Sequence, residues 1–472
     1  MHRIDHVYID GAFVIPHGEE RFELFNPATE NVIGTVRLAD AEDTRHAIAA
    51  ATRALPAWSR TAPAERAVLL RRMHAAVAAR EDELCAAVVQ EYGAPVSSAR
   101  WMVQHAAQVF LDAVEAMEGY EFERRLGTAR VVMQPAGVVG MITPWNSNAG
   151  FIGSKLATAL AAGCTAVIKP SEMSALQTHI MTEALHEARA PAGVFNIVTG
   201  RGEIVGAAIV ESPDVRKISF TGSTAVGKGI LRSAIDDVKR VTLELGGKSP
   251  TIILDDADFN TAIPMAIQAG FMNSGQACIA GTRILVPRAR LAEFEALAQA
   301  AVEATVVGDP TSSDTTIGPM VSRKQWERVQ GYIRQGIDEG ARLLAGGEGR
   351  PNGYTRGWLV RPTLFTDVRN DMTIAREEIF GPVLSIIAYD DEDEAIALAN
   401  DTAYGLSAYV VTTSAERGAR VAALIDSGRV MVNTLAHERK APFGGFKQSG
   451  LGREYGVFGL EAYLEPKTII GL

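Results

Sequence analysis

The sequence contains little cysteine and no long apolar run. Only three of its 472 residues are cysteines, Cys85, Cys164 and Cys278. An odd number at such wide spacing argues against a disulfide framework and against a cysteine-based zinc site. No apolar run approaches the ~20 residues that a membrane-spanning helix needs, and the N-terminus lacks a signal-peptide pattern. We therefore expect a cytoplasmic protein in which any cysteine with a chemical role acts singly.

Positive charge is also in short supply. The chain has 46 Lys and Arg residues against 56 Asp and Glu residues, a formal net charge of −10. A surface that binds nucleic-acid phosphates or anionic lipid is therefore not expected. Hydrophobic residues make up 47% of the chain, which is typical of folded proteins and not of disordered ones. The expected partner is a small molecule.

Short β-branched runs alternate with helical patterns from about residue 131 onward. Residues 40–120 have helical periodicity, and short strand-like segments precede them near 8–14 and 22–25. Alternating strands and helices predict parallel βαβ units, and a second alternating region over 247–440 predicts a second α/β unit. Ligands of such sheets bind at the carboxyl ends of the strands, so functional loops are expected there.

One strand-end loop, FTGSTAVGKG (220–229), has a phosphate-binding character. A helix is predicted to begin near Ser223, and Gly222 and Gly227 allow an anion to approach the free N–H groups of that helix start. Gly229 stands where a Walker A loop has Ser or Thr, so the magnesium ligand is missing and an NTPase is disfavoured. From the pattern alone, backbone packing explains these glycines as well as phosphate binding does.

A second strand-end loop, KPSE (169–172), has a ribose-binding character. Lys169 and Glu172 suit the two hydroxyls of an adenosine ribose, and the carboxylate would repel a 2′-phosphate. A surface ion pair at a helix start is the alternative. Two such loops on one sheet together predict a dinucleotide site.

Three further features are expected to be structural. Cys85 lies between apolar helical positions and is interpreted as core. His179, Glu183 and His186 share one helix face but match no zinc motif, so we expect a solvated face and no metal. The acidic run 390–395 is expected to cap a helix N-terminus.

Cys278 lies among small and polar residues in FMNSGQACIAGTR (271–283). It could be a core residue, a metal ligand or a nucleophile. A thiol with an ordinary pKa of about 8.5 is mostly protonated at neutral pH, so a nucleophile needs a base or a cation nearby. No histidine is adjacent in sequence. The candidate base is Glu244 in VTLELGG, because burial at an apolar strand end should raise the pKa of its carboxyl group.

These motifs together resemble the aldehyde dehydrogenase superfamily over essentially the whole chain. The hallmarks occur in the family's order, and the spacing from Glu244 to Cys278 matches as well. They are TPWN (143–146), KPSE (169–172), FTGS (220–223), LELGGKSP (243–250), GQACIAGTR (275–283), EEIFGP (377–382) and PFGGFKQSGLGREYG (442–456). The resemblance implies NAD-dependent oxidation of an aldehyde to its carboxylic acid, with NADP as an alternative cofactor.

The resemblance also implies roles for individual residues. Cys278 is expected to attack the aldehyde and to carry first a thiohemiacetal and then a thioester, which water activated by Glu244 hydrolyses. The Asn146 amide and the Cys278 backbone N–H correspond to an oxyanion hole. Lys169 is also expected to be a catalytic residue. Lys169 and Glu172 correspond to adenosine-ribose contacts, and Gly222 and Ser223 to the pyrophosphate loop. Further implied cofactor contacts are Thr143, Trp145, Gly202, Gly206, Leu245, Glu378 and Phe380.

The substrate pocket is where the sequence departs from the common family pattern. Small and polar residues follow TPWN where many relatives have large apolar ones, and a stretch rich in charge, 437–440, lies near the expected pocket mouth. One interpretation is a bulkier aldehyde, or one with a polar or anionic end that meets this loop. A solvated loop that touches no substrate is the other. The candidate pocket residues are Ser147, Phe151, Met272, Ile279, His437 and Arg439.

The resemblance implies an α/β fold with two parallel-sheet domains and a small β element. The expected cofactor domain covers 1–119 and 137–246, the catalytic domain 247–446, and an oligomerisation element 120–136 and 447–472. Exposed edges of the bridging strands imply a homodimer or homotetramer. A CoA-acylating dehydrogenase is the first alternative, although such relatives commonly lack the base at the position of Glu244. A binding or structural homologue without activity is the second.

Overall fold

The computed structural model of the protein describes residues 1–471 and contains two large, mostly parallel sheets. The predicted α/β class is therefore confirmed. The middle strands of both sheets are fully buried and mostly apolar, such as VVGMI in one sheet and PTII in the other. A parallel strand whose two faces are covered by helices is expected to be apolar throughout, because neither face meets water.

The first sheet has eight strands, of which the central five are parallel. In spatial order its strands are Gly450–Leu451, Arg240–Glu244, Val215–Thr221, Val138–Ile142, Thr165–Lys169, Phe195–Ile197, Val7–Ile9 and Ala12–Val14. The helices of this half are Ala41–Trp58, Pro63–Ala78, Glu81–Ala87, Val96–Glu118, Asn148–Ala162, Ala175–Glu187, Ala207–Glu211 and Thr224–Ala234. The TPWN, KPSE and FTGS motifs follow neighbouring strands at their carboxyl ends.

The second sheet has seven strands, of which only the first edge strand is antiparallel to its neighbour. In spatial order they are Arg342–Ala345, Thr363–Thr366, Val383–Tyr389, Arg283–Pro287, Pro250–Ile253, Ser407–Val411 and Arg429–Val432. The helices of this half are Phe259–Phe271, Leu291–Glu303, Arg323–Asp338, Thr373–Arg376, Glu392–Asn400 and Ala415–Leu424. The Cys278 loop precedes the strand Arg283–Pro287, so it lies at the amino edge of this sheet and not at the carboxyl edge where ligands of parallel sheets are usually sought.

Three small sheets complete the fold. Leu464–Ile470, Ala129–Pro135 and Glu123–Leu126 form an antiparallel three-stranded sheet, here called the C-terminal sheet. His2–Ile4, Asn31–Arg37 and Arg21–Asn26 form another, and Tyr404–Gly405 pairs with Phe446–Lys447. The helix Gly456–Glu461 precedes the last strand. Within residues 1–471 no helix is long and apolar enough to cross a membrane.

Several local predictions are confirmed. The helix Thr224–Ala234 begins after Ser223, whose side chain accepts a hydrogen bond from the Val226 N–H. The acidic run does cap a helix, because Asp391 is the N-cap of Glu392–Asn400 and accepts from the Glu394 N–H. Cys85 is buried in the apolar core. The strand Asn31–Arg37 was not predicted.

Candidate active site

The backbone that carries Cys278 is fixed by a buried glutamine. The Gln276 side chain accepts a hydrogen bond from the Val321 N–H at 3.0 Å. It also donates to the Tyr92 hydroxyl and to the Pro319 carbonyl, each at 3.3 Å. Two distant segments therefore hold the chain two residues before the cysteine.

Glycines in and beside the Cys278 loop allow close backbone packing. Gly275 has a φ of +75°, and a Cβ there would lie 2.2 Å from the carbonyl carbon of Gly381. A Cβ on Gly247 would lie 2.3 Å from the Cys278 carbonyl oxygen. Both distances are far below van der Waals contact, so any side chain at either position would displace the loop.

Cys278 is the accessible cysteine of the described chain. It is partly exposed, whereas Cys85 and Cys164 are buried. Burial raises the pKa of the Cys278 thiol to about 12, and the nearby carboxylates of Glu378 and Glu244 raise it further in the same direction. At neutral pH the free protein therefore holds Cys278 as a thiol, and attack on an electrophile requires loss of that proton.

Asn146 lies against the cysteine loop. Its side-chain amide donates a hydrogen bond to the Gln276 carbonyl at 3.0 Å. The Asn273 side chain donates to that same carbonyl and to the Asn146 carbonyl, both at 3.1 Å. The structure thus brings Asn146 and the Cys278 segment together, and the second amide proton of Asn146 has no partner among residues 1–471.

Glu244 is a buried carboxylate with no hydrogen-bond partner for either oxygen among the described residues. It ends the strand Arg240–Glu244, and a Cβ on Gly444 would lie 2.8 Å from its Oε1. Burial raises the pKa of Glu244 well above its usual value, and the nearby charge of Glu454 acts in the same direction. The predicted desolvation is therefore present. Three residues after Glu244, a Cβ on Gly247 would lie 2.3 Å from the Cys278 carbonyl oxygen, so the segment that follows Glu244 packs against the cysteine loop.

A buried charged cluster beneath Glu244 was missed in the sequence. The Lys155 ammonium group forms an ion pair with Glu454 and donates to the Ser219 hydroxyl at 3.0 Å. Ser219 also donates to Glu454 at 3.3 Å. One signal was available, since Lys155 is a lone charge in the apolar helix Asn148–Ala162. Glu454 gave none, because it stands among other charged residues near the C-terminus.

The KPSE loop forms a small ionic cluster at the carboxyl end of Thr165–Lys169. The Lys169 ammonium lies 3.2 Å from the Glu172 carboxylate, and both side chains are mostly buried. Arg201, which sequence reasoning missed, lies 3.3 Å from Glu172 and 2.7 Å from Glu20. The pair of Lys169 and Glu172 expected for a ribose is thus present, and the Arg201 guanidinium is a second cation beside Glu172.

The FTGS loop offers free donors at a helix start. Ser223 is exposed at the N-cap of an eleven-residue helix, and the Thr221 hydroxyl beside it is buried without a partner in residues 1–471. A Cβ on Gly227 would lie 2.5 Å from the Leu245 side chain, so this glycine serves helix packing. Gly202 begins the short turn Gly202–Gly206, and a Cβ on Gly202 would meet nothing within 4 Å. The exposed helix start after Ser223 has the chemistry that an anion such as a pyrophosphate needs.

Glu378 and Phe380 lie beside the backbone of the LELGG motif. The Glu378 carboxylate accepts from the Gly247 N–H at 3.0 Å, and a Cβ on Gly246 would lie 2.5 Å from its other oxygen. The Phe380 ring meets the Trp145 ring edge to face at 5.4 Å. Burial raises the pKa of Glu378 to about 7. The hydroxyl of Thr143, in the TPWN motif, is buried and donates to the Asn148 side chain at 3.1 Å.

The predicted pocket residues fall into two groups. Ser147 and Phe151 are partly exposed at the start of the helix Asn148–Ala162, and Met272 and Ile279 are partly exposed on the cysteine loop. His437, in the second group, lies among aromatic rings. The centre of its ring is 5.4 Å from that of Tyr455 and 6.2 Å from that of His105. Burial lowers the pKa of His437 to about 4, so it is neutral at pH 7.

The charges of the 437–440 loop are matched by carboxylates on a neighbouring helix. Arg439 lies 3.8 Å from Asp112, and Lys440 pairs with Glu115. Both acids belong to the helix Val96–Glu118. The positive charge that the sequence suggested at the pocket mouth is therefore largely compensated.

No group of three or more potential metal ligands occurs in residues 1–471. The Nε2 atom of His179 instead lies 3.4 Å from the Glu183 carboxylate on one helix, and burial lowers the pKa of His179.

Three comparisons report what the chain is similar to. The family model described as aldehyde dehydrogenase family matches residues 13–469. A 3-succinoylsemialdehyde-pyridine dehydrogenase from a Pseudomonas species is 48% identical over 466 residues, which is 98% of each chain. The crystal structure of a cysteine-to-alanine variant of aldehyde dehydrogenase C from Pseudomonas syringae, with NAD+ and octanal, is 46% identical. It superposes with a TM-score of 0.98 over 100% of this chain and 98% of that one. An aldehyde dehydrogenase of Mycobacterium tuberculosis with NAD+ is 40% identical, with a TM-score of 0.97 over 100% and 98%.

Proposed function

This chain belongs to the aldehyde dehydrogenase family, and we propose that its reaction is the NAD-dependent oxidation of an aldehyde to the corresponding carboxylic acid. The observation that carries the proposal is a partly exposed thiol, Cys278, on a loop that packs against the LELGG segment, whose Glu244 is a buried carboxylate with no hydrogen-bond partner among residues 1–471. Both groups are needed for acyl transfer to water through a covalent intermediate.

Cys278 is the proposed nucleophile. The Cys278 thiol gives its proton to solvent, its sulfur then bonds to the aldehyde carbon, and the carbonyl oxygen becomes an alkoxide. The Asn146 amide and the Cys278 backbone N–H would stabilise that charge, and one such donor is typically worth about 3 kcal/mol. The free second amide proton of Asn146 supports this role, because the first is held by Gln276.

The thioester forms on Cys278 when the thiohemiacetal carbon loses a hydride, for which bound NAD+ would supply the acceptor. Lys169 and Glu172 would hold its adenosine ribose, the FTGS loop its pyrophosphate, and Glu378 and Phe380 its nicotinamide end. The matching set of donors and open space at these loops supports the assignment. NADP remains the alternative cofactor.

Glu244 is the proposed base for hydrolysis of the thioester. A carboxylate whose pKa is raised toward neutrality removes a proton from water more effectively than an ordinary one. The buried pair of Lys155 and Glu454 lies near enough to influence its charge. We propose that this pair sets the electrostatics of Glu244, and that the acid product leaves once water has attacked the acyl carbon.

The proposal also covers the organisation of the chain. The cofactor domain would comprise 1–119 and 137–246, the catalytic domain 247–446, and the oligomerisation element 120–136 with 447–472. The long exposed edges of the C-terminal sheet support assembly into a homodimer or homotetramer. A cytoplasmic location is proposed on the sequence pattern alone.

An assay of NADH formation with a panel of aliphatic, aromatic and carboxy-aldehydes, without CoA, tests this function. The proposal is supported if the wild-type protein forms NADH and the Cys278→Ser variant does not. A strict requirement for CoA would favour the acylating alternative, which an unpaired Glu244 disfavours. No turnover with any aldehyde in the presence of bound NAD+ would favour an inactive binding protein.

A further inference from the structure

Arg429 begins the last strand of the second sheet, on the same amino edge that carries the Cys278 loop. In the strand pairing Met431 stands opposite Tyr409, and the Tyr409 hydroxyl donates to the carbonyl of Ile279, the residue after Cys278, at 2.9 Å. Met431 and Tyr409 also pack together in one small cluster. A short chain of contacts therefore connects Arg429 with the cysteine loop.

The Arg429 guanidinium has no carboxylate partner among residues 1–471. Its Nη2 lies 3.4 Å from the sulfur of Met431, a weak acceptor, and its carbon lies 5.4 Å from the centre of the Phe443 ring. The side chain is only partly exposed. Even so, its nitrogens that lack a hydrogen-bond partner are not buried. The free N–H groups are therefore open to a ligand.

The Arg429 guanidinium adjoins a group of aromatic rings. Phe443 lies 5.8 Å from Tyr455, and the Tyr455 ring lies 5.4 Å from His437. Further out, His105 stacks on Trp101, with 5.5 Å between centroids and 4° between planes. Since His437 is neutral and Arg439 and Lys440 face acids, Arg429 is the one uncompensated cation described in this aromatic group.

We propose that Arg429 determines substrate specificity by binding a carboxylate at the far end of the aldehyde. A planar guanidinium with free adjacent donors matches both oxygens of a carboxylate, which a lysine cannot do. The aromatic rings would cover the apolar middle of the same molecule. This proposal rests on the proposed aldehyde oxidation and adds the class of its substrate. The substrate class is a semialdehyde with a carboxylate, and the charged group that recognises it is Arg429 and not Arg439.

Electrostatics support the same placement. Burial lowers the pKa of Arg429, and the side chains of Tyr409, Tyr455 and Cys278 partly offset that effect. The guanidinium remains charged at neutral pH. It is thus a permanent cation within electrostatic reach of the reacting sulfur.

The test compares kcat/KM for succinic semialdehyde and butanal at saturating NAD+. In wild type the carboxy-aldehyde is preferred, and Arg429→Gln lowers the ratio of the two values at least about tenfold through KM, with butanal changed by less than about twofold. Arg429→Lys keeps a larger share of the ratio than Arg429→Gln, because the lysine ammonium retains the positive charge but lacks the paired donors of the guanidinium. Arg420→Gln, which removes a surface arginine paired with Glu392, is the matched control.

An unchanged ratio in Arg429→Gln overturns the proposal, as does an equal loss with both aldehydes, which indicates a packing role. A ratio that falls in Arg439→Gln instead assigns recognition to the loop. If wild type oxidises butanal but not succinic semialdehyde, this inference fails and the proposed function stands, whereas inactivity with every aldehyde of the panel would overturn both.

A second measurement needs no turnover. Succinate is expected to protect Cys278 of wild type, but not of Arg429→Gln, from alkylation by iodoacetamide, with the thermal unfolding midpoint as a check of folding. Equal protection of both proteins would contradict the role of Arg429 even where the oxidation itself is intact.

Discussion

The side-chain amide of Asn146 donates one hydrogen bond to the carbonyl of Gln276, 3.0 Å away and two residues before Cys278. The buried side chain of Gln276 is itself held by three hydrogen bonds, two that it donates and one that it accepts. The amide is therefore oriented in advance, with its second proton free. Pre-oriented donors stabilise a developing oxyanion without reorganisation when the charge appears.

Replacing Asn146 is expected to slow the chemistry more than it weakens binding. Asn146→Ala should lower kcat on the order of 100-fold, with little change in KM, because the lost donor contributes mainly in the transition state. Steady-state rates with one good aldehyde measure this. Asn148→Ala is the neighbouring control for local packing, since the Asn148 amide is buried and donates to the Thr178 hydroxyl. A loss that appears only in KM would contradict the oxyanion role.

The reactivity of Cys278 should rise steadily with pH in the free protein. Its thiol pKa is raised to about 12, mainly by burial and then by Glu378 and Glu244, so the reactive thiolate is scarce below that value and increases as pH rises. The rate of alkylation by iodoacetamide should increase about tenfold per pH unit from neutral pH to about 10.

Removing a nearby negative charge should shift that profile. In Glu244→Gln or Glu378→Gln the pKa of Cys278 falls, because less charge opposes the thiolate, and the whole curve moves to lower pH. The shift is incomplete, since burial remains. A plateau near pH 7 in wild type would contradict this description of the thiol.

Glu172 and Arg201 should together set the choice between NAD+ and NADP+. Glu172→Gln removes the charge that would repel a 2′-phosphate and releases Arg201, so the ratio of kcat/KM for NADP+ to that for NAD+ should rise about tenfold or more. Glu20→Gln releases Arg201 from its other partner and keeps Glu172, so a smaller rise is expected. An unchanged ratio in Glu172→Gln would remove this pair from cofactor selection.

The motifs at the strand ends were predictable because their signals are local. An N-cap serine, a glycine at a tight contact and an apolar strand end are each readable from a few neighbouring residues, as at Ser223 and Glu244. The resemblance then supplied which motifs belong to one site. Helical periodicity similarly located the long helices of residues 40–120.

Features that depend on contacts between distant segments were not predictable. The pair of Lys155 and Glu454 joins residues far apart in the sequence, and Arg429 reaches the site only through the parallel pairing of its strand with Ser407–Val411. The positive charge of Arg439 was visible in the sequence, but its neutralisation by Asp112 on another helix was not. Tertiary placement, and not residue type, decides which charge faces the pocket.

Trapping the acyl enzyme tests the central claim most directly. Without the carboxylate of Glu244 the water attack should slow at least about 100-fold, so that Glu244→Gln mixed with aldehyde and NAD+ gives a burst of one NADH per active site and then stalls. Mass spectrometry of the quenched protein should find the acyl group on the peptide that contains Cys278. Acylation of Cys85 or Cys164, or full turnover with no trapped adduct, would contradict the account.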